Sequence, residues 1–215
     1  MGRGAALLLG VAGSSDVALV DSISLETDVD GTTFTSNNVA LTGSWTHLII
    51  LVSARNPTSV SGVTVEGNSA TQVVVASDGT AVCVSAIYVI ANSTPTPDIV
   101  VTWGASATTC HVQVFAVTGL QSTTAVATVN TGTANPSVLS LNTSAGGIAV
   151  AGGVCLNATS CAWSGVTETH DSVRETSFNF SGGYSLTSTT ESPRTITGTW
   201  SGTANYRITV SASFR

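Results

Sequence analysis

Residues 206–214 read YRITVSASF, and in this stretch Ile208, Val210, Ala212 and Phe214 alternate with Thr209, Ser211 and Ser213. Successive side chains of an extended strand point to opposite faces, so a period of two gathers the apolar residues on one side and the hydroxyls on the other. A helix of period 3.6 gathers neither set. The same pattern, or a β-branched run of similar length, recurs in LIILVSA (48–54), TQVVVA (71–76), AVCVSAIYVI (81–90), DIVVTW (98–103) and HVQVFAV (111–117). Turn-forming clusters divide these runs: ARNPTSVSG, EGNSA, SDGT, NSTPTPD and SGTAN. Helical periodicity is almost absent. Short strands at this spacing predict an all-β protein, an antiparallel β-sandwich.

Composition narrows the function classes. Of 215 residues, 34 are Thr and 29 are Ser, only 8% are charged, and lysine is absent. Six arginines against twelve acids give a formal net charge of −6. A nucleic-acid binder needs a basic stripe to neutralise phosphates, so nucleic acid is excluded as the main partner. A mean hydropathy of +0.36 argues against disorder, which goes with low hydrophobicity and high net charge. No run reaches the roughly 18 uninterrupted apolar residues of a membrane span, so no membrane partner is expected.

The opening MGRGAALLLGVAGSS (1–15) has one arginine, an apolar run from Ala5 to Ala12, and small residues after it. It mimics a secretory leader with a short apolar region. The expectation is an arm, residues 1–16, that stays on the chain and lies against its own domain or a neighbouring subunit, with Arg3, Leu7, Leu8, Leu9 and Val11 as the candidate intersubunit contacts. Residues 17–215 are expected to form a single β-sandwich domain.

Rare residues used as markers point to an internal near-repeat. SGVTVE begins at Ser61 and SGVTET at Ser164; Tyr88 maps to Tyr184 and Pro97 to Pro193 at an offset of 96; Trp103 maps to Trp200 at 97. Val112, Val114 and Ala116 match Ile208, Val210 and Ala212, again at 96. Duplicated halves at about 46–118 and 147–214, or convergent patterning of similar hairpins, account for this. In each half a strand ending in Trp turns and returns as an alternating strand, which reads as a β-hairpin. The halves supply either the two faces of one sandwich or two fused modules, and one sandwich is favoured because some 70 residues bury little apolar area alone.

Reactive residue types are sparse. The only histidines are His47, His111 and His170, and no G-x-S-x-G elbow is present, so nothing marks a serine nucleophile. ETHD, Glu168–Asp171, sets an imidazole between carboxylates; on a strand Glu168 and His170 share a face while Asp171 points away, so a solvated turn is expected. ETDVDG, Glu26–Gly31, has the alternating acids of a calcium loop but lacks its later ligands, and reads as a polar edge and turn. Trp45, Trp103, Trp163 and Trp200 would form a sugar-stacking platform if exposed; core positions are expected instead, most firmly for Trp103 and Trp200. Cys83 and Cys110 lie in apolar runs and read as buried small hydrophobes, while Cys155 and Cys161 flank a loop and could close a small ring if oxidised. No CxxC is present, so no structural zinc site is expected from the cysteines. No catalytic residue, cofactor or metal ligand is assigned.

The order of segments resembles a family of jelly-roll or β-sandwich domains in tailed-bacteriophage virion proteins and related prophage and bacterial surface proteins. The resemblance runs over nearly the whole chain from residue 17: DVALVDSISLE, LIILVSARNP, SGVTVEGNSATQVVVAS, AVCVSAIYVI through VFAVTGLQSTT, SAGGIAVAGGVC and the closing YRITVSASF. Where the family has a Gly-Asp-Leu step, Trp45, Thr46 and His47 stand here. The resemblance implies a non-enzymatic capsid decoration (cement) protein, jelly-roll-like, a homotrimer bound to the major capsid protein on the outer surface of the virion. The alternative it leaves is a receptor- or glycan-binding module of a tail fibre or surface adhesin. A chain so poor in charge suits broad subunit contacts, since unpaired buried charges are costly.

Overall fold

The computed structural model of the chain describes residues 16–215 apart from 29, 58, 81, 133, 176 and 203–205. The expected arm contacts Arg3, Leu7, Leu8, Leu9 and Val11 lie outside the described residues. Among those described, the chain forms strands and no helix, so no helix is long and apolar enough to cross a membrane.

The strands of the first half are β1 (Ala18–Thr27), β2 (Gly31–Ser36), β3 (His47–Arg55), β4 (Val60–Val65), β5 (Asn68–Ser69), β6 (Thr71–Ser77), β7 (Cys83–Ala91), β8 (Ile99–Ala107) and β9 (Thr109–Thr118). The second half contains β10 (Ala127–Thr131), β11 (Ser137–Thr143), β12 (Gly147–Leu156), β13 (Cys161–Ser164), β14 (Thr167–Arg174), β15 (Phe178–Thr187), β16 (Glu191–Trp200) and β17 (Arg207–Phe214). They pair, all antiparallel, into four sheets: an inner sheet β1-β9-β3-β7-β6 and outer sheet β2-β8-β4-β5 from the first half, and an inner sheet β10-β17-β12-β15-β14 and outer sheet β11-β16-β13 from the second.

Three apolar layers bind the four sheets into one stack. Leu48, Ile50 and Val52 of β3, with Val112 and Val114 of β9, pack against Val63, Ile99, Val101 and Trp103 of the first outer sheet. The opposite face of the same strands, Ile49, Leu51, Phe115 and Val117, meets Val150, Phe180, Ile208 and Val210 of the second inner sheet. Ala149 and Ala151 of β12 then meet Leu139, Leu141 and Ile196 of the second outer sheet. This explains the continuous run LIILVSA: a strand covered on both faces has no polar side to show.

Two expectations are corrected by these layers. The favoured arrangement had each half giving one face of a single sandwich, whereas each half contributes an inner and an outer sheet. The expected Trp hairpins are not hairpins either. β8 pairs with β2 and β4 while β9 pairs with β1 and β3, so the chain crosses between layers at Thr108, and β16 and β17 do the same. Trp103 and Val112 face each other across one core instead of lying side by side.

Strand order is the same in the two halves when β1, β9, β3, β7 and β6 are set beside β10, β17, β12, β15 and β14. The marker residues do not all follow it. Tyr88 points into the core of its own half, whereas Tyr184 packs toward the other half. Val112 and Ile208 differ in the same way. β9 is apolar on both faces along 114–117, whereas β17 is apolar only toward the other half, with Thr209, Ser211 and Ser213 on its other face, so residues matched by type at a fixed offset need not match by face.

The central stretches of both outer sheets are rich in hydroxyls and carry no charge, the nearest ion pair being Glu191–Arg194 at the start of β16. Thr33 pairs with Thr102 and Thr64 with Val100 across the first outer sheet, and Ser140 with Thr195 and Ser164 with Thr197 across the second. Stretches 33–36, 60–65 and 99–104 on one side, and 137–140, 161–164 and 195–199 on the other, contain no ionisable acid, arginine or histidine.

Candidate functional site

A polar row crosses the first inner sheet on the side facing the second half. Register places Glu26 of β1 beside His111 of β9, His111 beside Ser53 of β3, and Ser53 beside Ser85 of β7. Ser53 and Ser85 satisfy each other through hydroxyls 2.8 Å apart. His111, fully buried, has no hydrogen-bond partner on either ring nitrogen. Burial holds its imidazole well below the usual histidine pKa, and the neighbouring His170 adds to the effect.

The second half answers with β14. A bulge between Glu168 and His170 breaks the alternation assumed for ETHD. His170 turns inward and stacks on His111, with ring centroids 4.1 Å apart and planes at 13°. Its Nε2 lies 2.9 Å from Glu26 Oε1 and 3.1 Å from Ser172 Oγ, and the Ser172 hydroxyl donates to the same carboxylate oxygen. Asp171 turns the other way and accepts from Asn179 Nδ2 at 2.7 Å and from the Cys161 amide at 3.3 Å. Glu168 is exposed; partial burial and the nearby Asp171 hold its carboxyl above the usual range. Glu168, His170 and Asp171 therefore do not converge, and only His170 joins the cluster.

The acids of ETDVDG also part company. Glu26 faces His170, while Asp28 takes a two-pronged contact from Arg174, Nε at 3.0 Å and Nη2 at 2.7 Å. Arg174 Nη1 lies 3.5 Å from Glu26 Oε2, and Arg55 pairs with Glu175 nearby. These carboxylates are engaged by side chains of the other half instead of forming a calcium loop. Glu26 also borders an open groove of about 590 Å³ between β1 and β2, lined by Ser24, Asp30, Thr33 and Thr35 among others.

Glu26, His170 and Ser172 do not form a nucleophilic triad. Such a triad needs the carboxylate on one ring nitrogen and the hydroxyl on the other, so that the base accepts the hydroxyl proton. Here both groups sit at Nε2, and the hydroxyl proton is directed at the carboxylate. What the cluster does offer is three donor groups, Glu26, His111 and His170, whose ligand atoms lie within 4.8 Å of one another.

The remaining candidates are structural. Trp45, Trp103 and Trp200 are buried, and the half-buried Trp163 donates its Nε1 to Ser181 Oγ at 2.7 Å, so none of the four stands as an exposed sugar platform. All four cysteines are buried and free in the structure. His47 is half-buried and takes up Thr46 Oγ1 at 2.9 Å through Nδ1. Sequence reasoning missed the Glu26–His111–His170 association because it joins positions 144 residues apart. A signal was present, however: His111 and Gln113 share one face of an otherwise apolar strand, where a polar pair needs partners.

No family model matches the chain, and no curated protein does. Among solved structures, the M1 zinc metallopeptidase from Deinococcus radiodurans and a variant of it are 12% identical to this chain, covering 85% of it and 42% of their own length, with a TM-score of 0.17. The chain thus spans less than half of that enzyme's length, and a likeness this low carries no argument about fold or chemistry.

Proposed function

We propose that this chain is a non-enzymatic structural subunit that works by surface contact: a decoration protein on the outer surface of a tailed-phage head, held by neighbouring copies of the major capsid protein. The observation that carries this reading is the pair of outer sheets at the two ends of the stack, whose central stretches are rich in hydroxyls and free of charge. Burying such a face against another protein strands no ion, and threonine and serine hydroxyls find hydrogen bonds on almost any polypeptide surface. The grooves beside β1–β2 and β4–β5 are open, which suits contact better than enclosure of a small substrate. The resemblance of the strand segments to virion domains supports the same role, with a homotrimer as the proposed state.

The test uses purified chain and undecorated heads of the phage that carries it. Saturable co-sedimentation at many copies per head is expected, with binding weakened about tenfold or more by Thr197→Lys or Thr102→Lys, each of which sets a lone charge on one face. No binding to the shell, or binding unaffected by both substitutions, overturns the reading.

A further inference from the structure

We propose that Glu26, His111 and His170 form a binding site for one divalent transition-metal ion of the zinc class, which clamps the first half of the chain to the second. Two imidazoles and a carboxylate are donors of the borderline kind that zinc takes in proteins, whereas calcium and magnesium prefer all-oxygen sets. The three ligand atoms already lie within 4.8 Å of one another. A tetrahedral zinc ion with bonds of about 2.0–2.1 Å holds its donors roughly 3.3 Å apart, so closure requires shifts of an ångström or so.

His111 is the independent observation that points to a ligand. A fully buried imidazole with two unpartnered nitrogens is costly to bury, because desolvation is uncompensated on both edges. Coordination through one nitrogen removes half of that deficit. The stacked arrangement also identifies which ring moves. An imidazole lone pair lies in the ring plane, so two parallel rings cannot both aim at one ion. His170 is anchored by Glu26 and Ser172, while His111 can turn without breaking a hydrogen bond. Arg174, 3.5 Å from Glu26 Oε2, occupies the carboxylate's outer oxygen, and Oε1 stays with the imidazole. The fourth donor is water or the Ser172 hydroxyl, 3.1 Å from His170 Nε2.

Two ligands come from the first half, on β1 and β9, and one from the second, on β14. Binding therefore ties the two inner sheets together at the edge where Arg55–Glu175 and Arg174–Asp28 also cross. This inference is independent of the capsid reading and is tested on the isolated chain.

Full-length protein stripped with a chelator is titrated with zinc chloride by calorimetry, and with cobalt(II) while the visible ligand-field bands are recorded. One ion per chain, cobalt bands of tetrahedral intensity and a zinc-dependent rise in melting temperature are expected. His111→Gln, His170→Gln and Glu26→Gln should each weaken zinc binding about tenfold or more; at known sites, losing even a group that only holds a ligand in place costs that much. Because His111 is buried, its variant is first checked for the wild-type circular dichroism spectrum; the Glu26 and His170 variants, at half-buried positions, carry the test if it fails to fold. Absence of saturable zinc and cobalt binding to the wild-type chain overturns the proposal, as does affinity unchanged in Glu26→Gln and His170→Gln.

Discussion

Gly152 of β12 and Gly182 of β15 lie opposite each other in the second inner sheet. A Cβ on Gly152 would run into the Leu51 side chain, and one on Gly182 would come within 2.6 Å of Gln113 Oε1 and 2.9 Å of Leu51 Cδ2. The two bare positions make a dimple into which the first inner sheet presses Leu51. Gly152→Ala should therefore cost about 1–3 kcal/mol by overpacking, read as a lower urea midpoint. Gly62→Ala, where an added Cβ meets nothing within 4 Å, should leave the midpoint nearly unchanged. Equal effects would mean that the inner sheets do not meet as closely as described. The thiols make a second residue-scale case. Burial pushes Cys110 and Cys155 up to about 12 and about 11, and raises Cys83 and Cys161 as well. An unfolded cysteine ionises near 8.5, so each folded thiol stays protonated where the unfolded one does not. This stabilisation is complete below about pH 8.5 and is lost as pH rises toward 11, by up to about 1.4 kcal/mol per thiol per pH unit. Urea midpoints measured across that window should fall for the wild-type chain and fall less for a variant with all four cysteines replaced by alanine.

Inner and outer strands obey different rules, and that difference decides what was legible beforehand. β3, β7 and β9 are readable as strands because β-branched and apolar residues fill them at the right length, and β17 because its apolar residues alternate with hydroxyls. Their sheet was not readable. A strand apolar on both faces can lie in the middle of any stack, so the crossing from β8 to β9 looked like a hairpin and the four layers looked like two. In the candidate site ETHD marks His170 in the sequence, but nothing local marks its partners Glu26 and His111. The bulge before His170 and the pairing of β14 with β15 alone decide which face it shows. Mutational sensitivity should follow the same division. Phe115→Ala, on the face of β9 buried between the halves, should cost about 3–5 kcal/mol. Val138→Ala, on the outward face of β11 and 51% exposed, should stay within about 0.5 kcal/mol. Denaturant unfolding of the two variants separates these outcomes, and a small loss at Phe115 would place β9 at a surface.

At the scale of the whole chain, the question is whether the two halves unfold as one. Each half has its own core between an inner and an outer sheet, which alone would permit two transitions. Against this stands the interface between the inner sheets, which is as continuous as either core and carries Ile49, Leu51, Ile87, Phe115, Phe180, Val210 and Phe214. Releasing one half exposes this face on both, a contiguous apolar surface that soluble monomers seldom leave uncovered. Ion pairs at the β1–β14 edge add orientation more than energy, being partly exposed. The tryptophans provide the reporters, with Trp45 and Trp103 in the first half and Trp163 and Trp200 in the second. Replacing each pair in turn with phenylalanine leaves fluorescence from one half only. The two variants report separate halves of otherwise matched chains, and each serves as its own baseline by circular dichroism. Within either variant, fluorescence and far-ultraviolet dichroism should trace the same urea transition, because neither half is stable once the other has left. Residues 16–120 made alone should then self-associate through the uncovered face of β3, β7 and β9. A fluorescence midpoint clearly separated from the dichroism midpoint in either variant, or a monomeric and cooperatively folded 16–120 fragment, would show instead that the halves are independent modules in contact.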